Sequence, residues 1–249
     1  MAVKNIYLNI TDSLIAWIDV SLALMLENEG MVSWKDAENR GIESGFAGLD
    51  LETRGFHNSE LIYIGAPVVW KTDFALAMVA NMLKFSKTKV GYFSLEIRKE
   101  MLIKNLSSIL FMEKFGWSDF IFKEDMPFFC IDIPNMNSTD FLNNVHKLRM
   151  KYGIQILFID CLEFVPLEIF FLKELAVELD IPVIVLAKTT GNLKNKEPDI
   201  KDLYICSDVI EQNTDLIMFL HHSDVVITKN KNGYEGIVKD IRFKRRRND

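Results

Sequence analysis

The sequence is poor in the residues that staple a chain or carry it through a membrane. It holds only three cysteines in 249 residues, Cys130, Cys161 and Cys206, far apart and with no C-x-x-C pair. That spacing excludes a disulfide framework and a cysteine-ligated zinc site, and it suits a reducing compartment. Six prolines and twelve glycines include no Pro-rich or Gly/Ser-rich stretch that would divide the chain. A largely apolar run, Leu14–Leu26, is too short for a membrane span, and Asp12 and Asp19 interrupt its neighbourhood. It also lacks the charged leader of a signal peptide. We read it as a buried or partner-facing helix, capped by Thr11 or Asp12 and stopped by Gly30. There is no excess of positive charge: 29 Lys and Arg against 35 Asp and Glu give a net charge of −6. Nothing global announces nucleic acid. A cytoplasmic protein with no membrane contact is expected.

What is present is a folding composition, 49% hydrophobic and 26% charged, long enough for one α/β domain or two small ones. Short apolar runs read as strands at Leu61–Ile64, Val90–Leu95, Phe128–Ile131, Ile154–Ile159, Ile181–Leu186 and Leu216–Leu220. Between them lie helical faces: Ala75, Met78, Val79 and Met82; then Phe141, Leu142, Val145 and Leu148, with Ser138 as the expected N-cap; then Leu167–Leu179. Asn232-Gly233 between alternating segments is a hairpin signal. Alternating strands and helices imply a mostly parallel sheet flanked by helices, with a C-terminal β-hairpin. Ligands of such sheets bind at the carboxyl ends of the strands.

One such end carries Gly65-Ala66-Pro67-Val68-Val69-Trp70-Lys71-Thr72. It follows the pattern G-x-x-x-x-G-K-[ST] of a phosphate loop, except that Trp70 stands in place of the second glycine. In that pattern main-chain N–H groups and a helix N-terminus cradle the phosphates. Lys71 would add charge at the terminal phosphate and the Thr72 hydroxyl would hold magnesium. A surface Lys-Thr pair opening a helix is the plainer reading of the loop alone. Asp160 ends an apolar strand where a carboxylate for a metal's water shell is expected. Glu96 ends another, placed to orient an attacking water. Taken singly, Asp160 reads as a strand-terminating turn residue and Glu96 as a helix-opening acid. Together they put Lys71 with Thr72, Glu96 and Asp160 at three strand ends on one sheet edge.

Other features carry less. His221-His222 is expected to be a strand end without a metal role, since neighbours on a strand point to opposite faces. Lys194, Lys196 and Lys201 read as a solvated loop. The basic run Arg242–Arg247 is either a nucleic-acid contact or a solubilising end.

In order, these segments resemble the C-terminal RecA-like ATPase domain of DnaB-type replicative helicases, from about Gly41 to about Phe243. Gly41-Ile42-Glu43-Ser44-Gly45-Phe46 with Leu49-Asp50 is similar to the family's opening, G-I-x-[ST]-G-F-x-x-L-D. Gly65–Thr72 falls on A-R-P-S-M-G-K-T, sharing Pro67, Lys71 and Thr72. Phe93-Ser94-Leu95-Glu96 matches F-S-L-E, and Asp160 heads a segment similar to D-Y-L-Q. Leu172–Ala176 falls on the helix that follows. Ile210-Glu211-Gln212 with Asp215 is similar to I-E-Q-D-A-D, and Lys229, Asn232, Gly233 and Gly236 to K-x-R-N-G-x-x-G. The resemblance implies a P-loop NTPase that binds ATP and Mg2+ between subunits of a hexameric ring and grips single-stranded DNA in the channel. It implies phosphate binding by the Gly65–Thr72 loop with Lys71, magnesium at Thr72 and Asp160, and Glu96 as general base. It also implies that Lys229 reaches a neighbour's nucleotide.

The departures bear on catalysis. Lys188 stands where the family has the Gln that senses the γ-phosphate, and Lys231 where it has the arginine finger. Lysine keeps the charge but loses the bidentate fork, and an arginine finger is worth about 10³ or more in rate. The segment between Phe164 and Leu172 is shorter than the family's DNA-contacting loop. The family's primase-facing N-terminal domain has no counterpart here, and Leu14–Leu26 resembles a remnant of its linker helix. The expected organisation is a helix and linker at 1–40, an ATPase domain at 41–243 and a basic tail at 244–249. Two functions fit: a helicase-family ATPase with weakened catalysis, or a pseudo-ATPase serving a true helicase as regulator or structural partner. A RecA-fold scaffold unconnected with DNA fits the order of segments least.

Overall fold

The computed structural model of the protein describes residues 40–111, 126–133, 136–161, 163, 168–189, 196–203 and 207–243. The expected Leu14–Leu26 helix, Lys194 and the run Lys244–Arg247 lie outside these residues. The strands are β1 (Leu61–Ala66), β2 (Val90–Ser94), β3 (Phe128–Ile131), β4 (Ile156–Asp160), β5 (Val183–Lys188), β6 (Leu216–His221), β7 (Asp224–Asn230) and β8 (Gly236–Val238). The helices are α1 (Ala47–Thr53), α2 (Val68–Asn81), α3 (Lys99–Phe111), α4 (Ser138–Lys147), α5 (Ile169–Leu179) and α6 (Ser207–Asn213).

The strands make one sheet in the order β3-β2-β4-β5-β1-β6-β7-β8. β1 to β6 run parallel, and β7 and β8 return antiparallel. The reason is visible in β1, whose six residues are all buried. Leu61 and Tyr63 face one apolar cluster, Ile62 and Ile64 the other. A strand apolar on both faces needs a layer of helix on each side. α2 packs with α3 on the Ile62 side, while Leu172, Leu175, Ala176 and Leu179 of α5 cover the Leu61 side. The opening motif is structural. Asp50 in α1 accepts hydrogen bonds from the main-chain N–H groups of Ser44, 2.6 Å, and Gly45, 2.9 Å. Gly45 has φ +80°, a conformation that suits glycine. Burial pushes the Asp50 carboxyl up to about 6 against those bonds.

The structure moves three boundaries. β4 starts at Ile156 and β5 at Val183, two residues inside the apolar runs. The Ile154 and Ile181 N–H groups close the preceding helices, donating to Leu148 and Ala176 carbonyls. Asn137, not Ser138, caps α4; its side chain accepts the Asp140 N–H at 2.9 Å. The hairpin at Asn232-Gly233 is present, pairing Val225 with Val238. A second hairpin, β6–β7, turns at His222, where φ is +54°. His221 therefore ends a strand and His222 lies in a turn. No described helix is long and apolar enough to cross a membrane.

Candidate nucleotide site

The carboxyl ends of β1, β2, β4 and β5 are neighbours, so Lys71, Glu96, Asp160 and Lys188 converge. Asp160 is the last residue of β4 and pairs in register with Ser94 of β2 and Leu186 of β5. Lys188, the last residue of β5, lies opposite Ala66 of β1. Glu96 follows β2 by two residues, and Lys71 and Thr72 lie in the opening turns of α2 directly after β1.

The Lys71 ammonium is 2.5 Å from Asp160 Oδ1 and 2.8 Å from Glu96 Oε2. Lys71 and Asp160 are sealed, with side chains 1% and 0% exposed. Lys188 Nζ holds the other Glu96 oxygen at 3.0 Å. The Thr72 hydroxyl donates to Asp160 Oδ2 at 2.7 Å, and the Tyr92 hydroxyl to the same oxygen at 2.9 Å. Every carboxylate oxygen of Glu96 and Asp160 thus already accepts a hydrogen bond. Burial opposes the Lys71 charge, but the Asp160 carboxylate outweighs it and raises the Lys71 pKa. Burial likewise opposes the Glu96 charge, and the Lys71 and Lys188 hydrogen bonds outweigh it, holding Glu96 below the usual carboxylate range. The hydrogen bond to Glu96 raises Lys188.

The main chain is drawn in as well. β1 runs to Ala66 and α2 begins at Val68, leaving Pro67 alone between them. The Trp70 and Lys71 N–H groups both donate to the Pro67 carbonyl, at 2.9 and 3.0 Å. Of the expected loop, Gly65 and Ala66 are strand, and Val68, Val69, Trp70, Lys71 and Thr72 are helix. Trp70 is half-buried and packs against the apolar core shared by α2 and α3.

Gly65 serves packing. A Cβ there would lie 2.5 Å from Cδ1 of the buried Phe219 ring, with Leu203 at 3.1 Å. Gly65→Ala is expected to lower stability by about 1–3 kcal/mol through overpacking. A urea titration showing an unchanged midpoint would refute this.

Lys229 and Lys231 are elsewhere. They lie where β7 ends, beside the amino end of β6. Lys231 Nζ is 2.6 Å from Asp215 Oδ1, and Lys173 Nζ is 2.6 Å from Oδ2. Asp215 also accepts the Leu61 N–H at 2.9 Å, so this cluster sits at the amino end of β1. Lys229 donates to the Glu211 carbonyl. Sequence reasoning missed Tyr92 and Glu163. Glu163 accepts the Lys188 N–H at 3.1 Å and pairs with the Cys161 thiol, which burial pushes up to about 12. No motif marks either residue; Tyr92 reaches Asp160 only because β2 and β4 are adjacent.

The profile of the DnaB-like helicase C terminal domain matches residues 41–113 and 119–249. The chain belongs to this family. It is 31% identical to the replicative DNA helicase DnaB of Treponema pallidum (strain Nichols) over 234 residues, which are 80% of this chain and 53% of that protein. It is 30% identical to a probable replicative DNA helicase of Trieres chinensis over 242 residues, 84% of this chain and 53% of that one. The chain therefore spans about half the length of the curated relatives it matches. Among solved structures, an ATPase domain superposes with a TM-score of 0.67 at 25% identity, covering 88% of this chain and 93% of that one. A DnaB-like replicative helicase, solved in a study of its interactions with primase, gives 0.64 at 22% identity, covering 90% and 71%. The RecA-like DnaB ATPase fold expected from the sequence is thus the fold found.

The donor chemistry at this DnaB-like site suits magnesium, since Thr72 and Asp160 offer hard oxygens. Glu96, Asp160 and Cys161 also bring one donor atom each within 4.8 Å of one another. The arrangement does not suit the ion, because Lys71 and the two hydroxyls already occupy the Asp160 oxygens.

Proposed function

We propose that the chain is a helicase-family ATPase domain acting in DNA replication in the cytoplasm, with weakened catalysis. The observation that carries this reading is the meeting of Lys71, Thr72, Glu96 and Asp160 at adjacent strand ends. An ammonium, a hydroxyl and two carboxylates so placed suit a nucleoside triphosphate: Lys71 for the terminal phosphate, Glu96 for the attacking water. Thr72 and Asp160 would hold magnesium once Lys71 had moved to phosphate. Lys188 and Lys231 supply charge at two further positions without the planar fork that charge-dispersed phosphoryl transfer favours. The proposed assembly is a hexameric ring around single-stranded DNA, with Lys229 and Lys231 turned to a neighbour.

The single-residue connection at Pro67 favours a second reading, a pseudo-ATPase that partners a true helicase, because a cradle must open before phosphate enters. Calorimetric titration with MgATP, joined to a phosphate-release assay, separates the two. Binding with slow turnover supports the ATPase. Binding without turnover supports the pseudo-ATPase, and no heat at millimolar nucleotide overturns the nucleotide site. If the indole is the block, Trp70→Gly binds about tenfold or more tightly. Filter binding of single-stranded DNA should weaken steeply with salt; no retention at low salt removes the DNA role.

A further inference from the structure

The ion pairs that close the site also define the form of ligand it takes. We infer that Lys188 replaces the charge of a divalent cation, so that the site binds the polyphosphate of a metal-free nucleotide. This rests on the proposed nucleotide reading of the same residues and changes its cofactor requirement.

Metal entry is opposed from each direction. A divalent ion needs free oxygens, and the four on Glu96 and Asp160 are engaged by Lys71, Lys188, Thr72 and Tyr92. The Lys71 ammonium already sits between the two carboxylates, at 2.5 and 2.8 Å, where a cation would. Displacing it would strip a buried ammonium of both its carboxylates, which is strongly destabilising.

Anion entry is favoured. Lys71 and Lys188 share Glu96 through its two oxygens, and each opposes the other's charge across it. Lys188 is a quarter exposed and Glu96 slightly more, so this side of the cluster meets solvent. A phosphate group arriving there gives Lys188 a further acceptor without breaking the sealed Lys71–Asp160 pair. The other carboxylate near Lys188 is Glu163, which is engaged by the Lys188 main-chain N–H and the Cys161 thiol. A polyphosphate chain normally needs Mg2+ because its charges repel one another; here a second ammonium supplies that neutralisation at close range.

The test is calorimetric titration of the full chain with ATP in EDTA and again in excess MgCl2, for the wild type, Lys188→Gln and Lys188→Arg. The expected wild-type affinities agree within about threefold between the two media. Lys188→Gln is expected to lose about tenfold or more in EDTA and less in magnesium, becoming metal-dependent. Lys188→Arg, which keeps the charge, restores binding in EDTA. Wild-type binding that needs magnesium by about tenfold or more overturns the inference and leaves the nucleotide site standing. Equal losses for Lys188→Gln in both media also overturn it. No heat in either medium overturns this inference together with the nucleotide reading.

Discussion

Lys71→Ala is expected to destabilise the fold by about 3–5 kcal/mol, the cost of leaving a buried charge without its partner. Asp160 is fully buried and its closest contact is the Lys71 ammonium at 2.5 Å. Thr72 and Tyr92 still donate to it after the change, but two hydroxyls do not neutralise a carboxylate. Lys71→Met keeps the stem and isolates the charge, so it should cost nearly as much. Lys71→Met with Asp160→Asn removes both charges and should recover most of the loss. Urea unfolding of the four proteins measures this; a Lys71→Ala penalty below about 1 kcal/mol would sink it. The lysine that a phosphate loop normally devotes to ligand is here a structural residue, so an inactive Lys71→Ala protein must first be shown to fold.

The second large effect lies at the opposite end of the sheet. Asp215→Ala is expected to cost about 2–4 kcal/mol. The change leaves the buried Leu61 N–H at the start of β1 without its acceptor and frees two ammonium groups, Lys173 and Lys231. Lys231→Met should cost less than about 1 kcal/mol, because that side chain is 48% exposed and solvent screens the pair. The sign with pH follows from the direction of the shift. Burial works to raise Asp215, but the Lys173 and Lys231 hydrogen bonds outweigh it and hold it below its ordinary 3.8. Its stabilisation is full above that ordinary value and is lost as pH falls through the lowered one. The wild type should therefore lose stability between those limits more steeply than Asp215→Ala. Parallel acid limbs in thermal melts would contradict the assignment.

The fold was legible because apolar runs such as Leu61–Ile64 and Ile156–Ile159 have few destinations other than a sheet covered on both faces. Their starts were not. Ile154 and Ile181 are as apolar as their neighbours, and only the hydrogen bonds of the preceding helix ends decide that they precede the strands. The opening motif was legible as a string, but its cause, Asp50 holding two main-chain N–H groups, is a matter of geometry. At the site, the residue types could be placed at neighbouring strand ends. What could not be read was occupancy. A lysine beside two carboxylates either waits for a ligand or neutralises them, and the choice depends on small differences in distance. Trp70 was equally ambiguous, since an indole in a phosphate loop and one packed on the core differ only in where the helix begins.

The two charge clusters cap opposite ends of β1. Six residues of strand hold them about 20 Å apart, and a parallel sheet does not stretch. A single phosphate cannot touch Lys71 and Lys231 of the same copy. Whatever a dilute sample of this protein can do with one cluster, it cannot do with both, and any property needing the pair must fade with dilution.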